Sequence, residues 1–129
     1  MKNEENNTVF YFFNQADETI YANFTGEIGW NELENFYKEI VRFYPHVAVL
    51  RILQDEQRAT FPETEQVIGN SRELIKILTD QYPRVKLAVV QNRPVETAYS
   101  FLFFDQFQGM NVDYRIFSSE ENAVAWLCE

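Results

Sequence analysis

Cysteine, histidine, glycine and proline are all scarce in this chain of 129 residues. There is one cysteine, Cys128, and one histidine, His46, and there are four glycines and four prolines. A single cysteine excludes an intrachain disulfide bond, and one cysteine with one histidine does not support a structural zinc site. The glycines do not form a phosphate-binding loop, and no apolar run approaches the roughly 20 residues of a membrane span.

Basic residues are also few: the chain has eleven basic and twenty acidic residues, which gives a net charge of −9. A surface this negative repels nucleic-acid phosphates and anionic lipids, so neither nucleic acid nor a membrane is predicted as a partner. If the protein has a protein partner, that partner is expected to present a basic surface. The polar first residues contain no apolar signal-peptide core, so we expect a cytoplasmic location.

The residues that are abundant suffice for one hydrophobic core. Hydrophobic residues make up 46% of the chain and aromatic residues 16%. The length suits a single domain that spans residues 1–129. The polar segment 1–7 is expected to be disordered.

Apolar patterning predicts a strand–strand–helix order followed by three strand–helix pairs. Strands are predicted at residues 8–13, 18–24, 47–53, 85–91 and 112–117, and helices at 30–44, 62–81, 94–108 and from the last strand to Leu127. The segment 54–61 is predicted to be a polar loop. Two capping boxes, Thr60 with Glu63 and Ser118 with Glu121, are predicted to start the second and fourth helices.

The parallel strands are predicted to have one apolar face and one mixed face each. Arg51, Lys86 and Arg115 lie on the mixed faces, where they alternate with core-type residues. A doubly wound sheet would be apolar on both faces, so these three side chains are expected to lie opposite the main helix layer. The predicted fold is α/β: a five-stranded mixed, mostly parallel sheet with four helices mainly on one face.

The element order and four segments of the chain resemble STAS-like domains, the anti-sigma-factor-antagonist-like family, and in particular its small stand-alone members. The segments are GEIGWNELENF, VAVLRIL, VKLAVVQ followed by NRPVETAYSFLFF, and RIFSSEENAVAWL. The resemblance covers nearly the whole chain. It implies a β–α superhelix that acts through protein–protein contacts.

The phosphorylation motif of the signalling members of this family is missing. Those members carry a phosphorylatable serine in an Asp-Ser-Ser/Thr-Gly motif after the central strand. The corresponding segment here is QDEQRATFPETE, which has no serine and no glycine. The resemblance therefore does not carry the phospho-switch over. Thr60 is a weak phosphorylation candidate, and a helix cap is the simpler role for its hydroxyl.

Residues suited to catalysis are few. His46 follows Pro45 in a predicted turn, and no spacing places it with a serine or with Cys128. The many glutamates fall on polar helix faces and in first turns, where they complement the helix dipole, and nothing selects an acid–base pair among them. The sequence therefore predicts a protein that is not an enzyme and has no cofactor or metal.

The aromatic content of the third predicted helix is the unusual feature of the sequence. Residues 94–108 include Tyr99, Phe101, Phe103, Phe104 and Phe107. A helix with one buried side would leave Phe101, Phe104 and Gln108 on another face. It would turn inward either Phe103 or Gln106, together with four further residues: Val95, Ala98, Tyr99 and Leu102. The remaining rings then either pack under a neighbouring helix or form a self-association or ligand surface.

The predicted function is that of a non-enzymatic, STAS-like regulatory module that acts through protein contacts. Its candidate interaction or ligand surface consists of Tyr99, Phe101, Phe104 and Phe107. Phe101 and Phe104 lie one helical turn apart, so two copies are expected to bury this ridge in a homodimer. The alternative function is a carrier or sensor of a small apolar ligand such as a lipid, which a closed aromatic cavity would favour.

Overall fold

The computed structural model describes residues 8–44 and 47–129. The strands are β1 Thr8–Asn14, β2 Thr19–Glu27, β3 Val49–Thr60, β4 Arg84–Val90 and β5 Val112–Phe117. The helices are α1 Trp30–Phe43, α2 Thr64–Gly69, α3 Ser71–Thr79, α4 Pro94–Phe104 and α5 Glu120–Leu127, and a 3₁₀ turn, Asp105–Phe107, follows α4. The predicted disorder of residues 1–7 and the predicted turn at His46 lie outside the described residues.

The strands form one sheet in the order β1-β2-β3-β4-β5. β1 and β2 pair as an antiparallel hairpin, whereas β2, β3, β4 and β5 run parallel to one another. Each parallel pair is joined through one or more helices, because parallel strands need a long crossover connection. The predicted mixed, mostly parallel sheet is confirmed.

The main helix layer covers one face of this sheet. Alternate residues of the central strands, including Leu50, Ile52 and Leu87, are buried in one core cluster with α1, α2, α3 and α4. The apolar face of α1 recurs at three- and four-residue spacing and consists of Leu33, Phe36, Tyr37 and Ile40. The helices therefore lie mainly on one face, as predicted.

The final helix, α5, is the exception and lies on the opposite face. It packs Leu127 against Ala88 and Val90 in a second, smaller core cluster. Its main contacts are with β3, β4 and β5. Phe10 and Phe12 of β1 point to the same face of the sheet and are exposed.

The three basic residues of the mixed strand faces lie opposite the main helix layer, as expected, and they contact α5. Arg51 Nε donates a hydrogen bond to the Leu127 carbonyl at 2.9 Å, and Lys86 Nζ donates to the Trp126 carbonyl at 2.9 Å. The Arg115 guanidinium lies 5.4 Å from the centre of the Trp126 ring. These cations stabilise the negative C-terminal end of α5, which explains why a covered sheet face carries charge.

The second predicted helix is interrupted, which the sequence interpretation did not foresee. α2 ends at Gly69 and α3 begins at Ser71, with Asn70 between them in a non-helical conformation. The Asn70 side chain donates to the Gln66 carbonyl at 2.9 Å and Ser71 Oγ donates to the Ile68 carbonyl at 2.9 Å. These side chains compete with the helical backbone bonds, so one apolar pattern yields two helices.

The predicted cap of the last helix is wrong by one residue. The N-cap is Ser119, whose side chain accepts a hydrogen bond from the Asn122 backbone N–H at 3.3 Å. Ser118 lies one residue before the cap, and Glu121 occupies the first turn of α5. The sequence has two adjacent serines here, and the structure places the second one at the cap.

Candidate functional site

Helix α4 is turned differently from the one-sided helix that the sequence suggests. Its buried side chains are Ser100 and Phe103, and Phe107 is buried in the 3₁₀ turn that follows. Phe103, Phe107 and Tyr114 form a ring cluster with centroid distances of 5.0, 5.5 and 6.0 Å. Packing these large rings together removes a large apolar area from water. Of the two residues offered for the fifth inward position, Phe103 is buried and Gln106 is exposed. The other four residues predicted to face inward are exposed: Val95, Ala98, Tyr99 and Leu102.

The four aromatic residues of the predicted surface separate into two pairs. Phe107 is buried, and Phe104 is half-buried with its ring centroid 4.3 Å from that of Tyr114. Phe101 is 57% exposed and Tyr99 is 38% exposed. The first pair thus packs in the core, and the second pair remains at the surface.

The outward side chains of α4 form a continuous apolar surface. Val95, Tyr99 and Leu102 recur at four- and three-residue spacing, and Ala98 and Phe101 adjoin them on the same helix. All five side chains are exposed. We call these five residues the α4 surface.

An open groove of about 750 Å³ adjoins the α4 surface along β5. Phe101 and Phe104 line it from α4, whereas Arg115 and Trp126 line it from β5 and α5. Tyr99 does not line this groove and instead lines a separate cavity beneath α4. The predicted aromatic residues are therefore divided between two depressions.

The cavity beneath α4 is small and partly polar. It has a volume of about 40 Å³, enough for a few water molecules but not for the acyl chain of a lipid. α2 and α4 form its outer wall, α1 flanks it, and β3 and β5 lie beneath it. Its polar lining includes Tyr37, Gln54, Glu56 and Ser100.

Glu56 is the most unusual residue of the cavity because it is a carboxylic acid that is only 6% exposed. Tyr37 Oη donates to Gln54 Oε1 at 2.6 Å, and Gln54 Nε2 donates to Glu56 Oε2 at 2.9 Å. Burial raises the pKa of the Glu56 carboxyl to about 8, the Gln54 hydrogen bond opposes this, and the nearby Asp55 adds to it. Glu56 is therefore largely protonated near neutral pH.

The sequence interpretation missed this polar network because it ended the third strand too early. The segment predicted to be a polar loop, 54–61, belongs to β3 as far as Thr60. Ile52, Gln54 and Glu56 share one face of the strand, and this period of two was the available signal. The pairing register between β2 and β3 shifts opposite Phe24, so β3 has a β-bulge there. This bulge leaves Glu56 next to the cavity.

Thr60 does not cap a helix. It is the exposed last residue of β3, and the N-cap of α2 is Glu63, without a side-chain cap bond. Glu63 instead caps α1, since its Oε1 accepts a hydrogen bond from the Trp30 backbone N–H at 3.0 Å. The predicted capping box of Thr60 with Glu63 is therefore wrong, because the Glu63 carboxylate caps α1 and not α2.

Thr60→Ala is expected to change the free energy of unfolding by less than about 0.5 kcal/mol, as is usual for an exposed position. The matched variant Ser119→Ala removes an observed cap and is expected to cost about 1 kcal/mol. Chemical denaturation of both variants beside the parent protein measures the difference. Equal costs at the two positions would contradict the role assigned to Thr60.

Neither a metal site nor a membrane span is present in the part of the chain that the structure describes. Across residues 8–44 and 47–129, no group of three or more histidine, cysteine, aspartate or glutamate side chains is placed to hold a metal ion. No helix in those ranges is long and apolar enough to cross a bilayer.

Comparison with known proteins identifies the fold. A crystal structure of an uncharacterized protein of the DUF3478 family with a SpoIIAA-like fold, from Shewanella loihica PV-4, has a TM-score of 0.64 to this chain. The two are 11% identical over 94% of this chain and 93% of that chain. The anti-sigma factor antagonist SpoIIAA in its unphosphorylated form has a TM-score of 0.48 and 18% identity, over 93% of this chain and 97% of that one.

The protein therefore has the SpoIIAA-like fold, and the predicted STAS-like domain is confirmed at the level of the fold. No protein-family model matches the sequence, and no curated protein matches it either. Structural likeness at these identities shows the fold alone, so the function rests on the residues of this chain.

Proposed function

We propose that the protein is a non-enzymatic regulatory module that acts through protein contacts made by the α4 surface. The α4 surface is the observation that carries this proposal. Four of the seven large hydrophobic side chains exposed in the described residues belong to it: Val95, Tyr99, Phe101 and Leu102. An exposed apolar patch of this kind usually marks an interaction site, because leaving it in water is unfavourable.

The first partner that we propose is a second copy of the chain. Val95, Tyr99 and Leu102 form a straight ridge along one helix, and a two-fold axis would pack this ridge against its own copy. The net charge of −9 opposes association at long range. Salt screens that repulsion beyond about 10 Å, whereas each large apolar side chain buried contributes roughly 1.5–3 kcal/mol. If a different protein binds the α4 surface in place of the second copy, it is expected to present a basic surface, because this chain is acidic.

The cavity gives no support to the alternative of a lipid carrier. Its volume of about 40 Å³ is too small for an acyl chain, and Phe101 and Phe104 do not line it. The groove that these two phenylalanines line is open and is shared with charged residues such as Arg115. Protein contact is therefore the use of the apolar α4 surface that we propose.

The double variant Phe101→Glu/Leu102→Glu is expected to convert a homodimer to a monomer in sedimentation velocity experiments. Both side chains are more than half exposed, so their replacement leaves the core intact. Phe104 is left unchanged because its ring packs against Tyr114. Circular dichroism should show the same helix content for the variant and the parent.

The matched control is Gln106→Glu/Gln108→Glu, which adds the same charge at exposed positions just outside the α4 surface. This control should sediment as a dimer, like the parent protein. A parent protein that is monomeric at high micromolar concentration would overturn the proposed homodimer. A control that dissociates as fully as the test variant would show that charge alone, and not the α4 surface, determines assembly.

A further inference from the structure

The cavity beneath α4 holds a titratable group with no charge partner. Glu56 projects from the β-bulge of β3 and is held by one side-chain hydrogen bond, from Gln54. None of the described residues that line the cavity is basic. An ionised carboxylate at this position would therefore have no cation to stabilise it, and the cavity has room for only a few water molecules.

The other titratable groups around Glu56 supply no positive charge to it. Asp55 precedes it in β3, and Glu96 lines the cavity from α4, where it also pairs with Arg93 at 3.8 Å. Tyr37 faces it from α1 and Tyr114 from β5, and burial raises the pKa of both hydroxyls, so they remain protonated. α2 lines the cavity with no titratable side chain.

The wall over Glu56 is weakly anchored. α2 has six residues and buries only Val67, whereas α3 beside it buries four residues. Helix segments with few buried contacts open at low free-energy cost, since little apolar packing has to be lost. Bulk water that reaches Glu56 when this wall opens would stabilise its ionised form further.

We propose that Glu56 is a pH-dependent switch: α2 and α4 stay closed over the cavity while the carboxyl is protonated, and α2 separates from it when the carboxyl ionises. Tyr99 connects this switch to the α4 surface, because it lines the cavity and is also exposed on that surface. Opening would then weaken association at higher pH. This last consequence rests on the proposed function, whereas the switch itself does not.

Amide hydrogen exchange at pH values well below and well above the Glu56 pKa tests the switch. In the parent protein, the protection factors of α2 are expected to fall at least about tenfold at the higher pH, while those of β4 stay constant. In Glu56→Gln, which keeps an oxygen acceptor for Gln54, the protection of α2 should not change. An equal fall in both proteins, or no fall in the parent, would overturn the proposal.

Two further measurements test the switch without the Glu56→Gln variant. The carboxyl carbon resonance of Glu56 in the unmodified protein should titrate with a pKa near 8. Titration near the ordinary pKa of 4.5 would overturn the switch, and this result does not depend on whether Glu56→Gln folds. The exchange experiment on Phe101→Glu/Leu102→Glu should show the same loss of protection in α2. A parent that never dimerises, but shows this loss, would refute the homodimer and leave the switch standing.

Discussion

The free energy of unfolding of the parent protein is expected to fall by roughly 3 kcal/mol between about pH 5 and about pH 8 because of Glu56, and Glu56→Gln is expected to lack this fall. The folded state raises the pKa of Glu56 from its ordinary 4.5 to about 8, chiefly through burial. Between these values the unfolded chain has released a proton that the folded chain still holds. The Glu56 contribution to stability is therefore greatest below pH 4.5, falls as the pH rises, and becomes constant above about 8.

The measurement is urea denaturation of the parent and the variant across this pH range. Other carboxylates titrate in both proteins, so the difference between the two stability curves isolates Glu56. The matched control, Glu65→Gln, removes an exposed carboxylate from α2 and should follow the parent curve. Parallel curves for the parent and Glu56→Gln would show that Glu56 is already ionised in the folded protein, contrary to this account.

Trp126→Ala is expected to lower the free energy of unfolding by roughly 3–5 kcal/mol. The Trp126 ring fills the contact between α5 and the sheet, with its centroid 5.8 Å from that of Phe117 and the Lys86 ammonium 4.6 Å from it. Truncation removes that apolar area and leaves two cations, Lys86 and Arg115, without their ring contact. A helix of only eight residues is not stable without its packing, so α5 should detach as well.

Denaturation of Trp126→Ala beside Val124→Ala measures this effect. Val124 lies on the same helix but is only partly buried, so its truncation should cost about 1 kcal/mol or less. Far-ultraviolet circular dichroism of the tryptophan variant should show the loss of one short helix. A cost no larger than that of Val124→Ala would contradict the placement of α5 on the sheet.

The fold could be predicted from the sequence because its strands carry a clear apolar period. The run of apolar residues in β4 indicates a buried strand. The three- and four-residue spacing of apolar residues in α1 indicates an amphipathic helix. The position of α5 was harder to predict, since Arg51 and Lys86 indicated only that their sheet face lies opposite the main helix layer. Those cations bind helix carbonyls, and a linear pattern does not reveal such a contact between residues about 40 to 80 positions apart.

The candidate site was only partly accessible from the sequence. Gln54 and Glu56 looked like loop residues because polar side chains in a strand are usually exposed, whereas here they hydrogen-bond to each other in the interior. The orientation of α4 also depended on tertiary packing. Apolar residues are spread around most of this helix, so the sequence pattern alone does not determine which side is buried. The ring cluster of Phe103, Phe107 and Tyr114 determines it instead.

The most direct test of the proposed interaction module is a dilution series followed by amide nuclear magnetic resonance. Spectra of the parent protein are recorded from high to low micromolar concentration, and the amides that shift are assigned. The account predicts concentration-dependent shifts in residues 95–102 of α4, and none in β1, where Phe10 and Phe12 offer the other exposed apolar patch. Spectra that do not change with concentration, or shifts confined to β1, would contradict it.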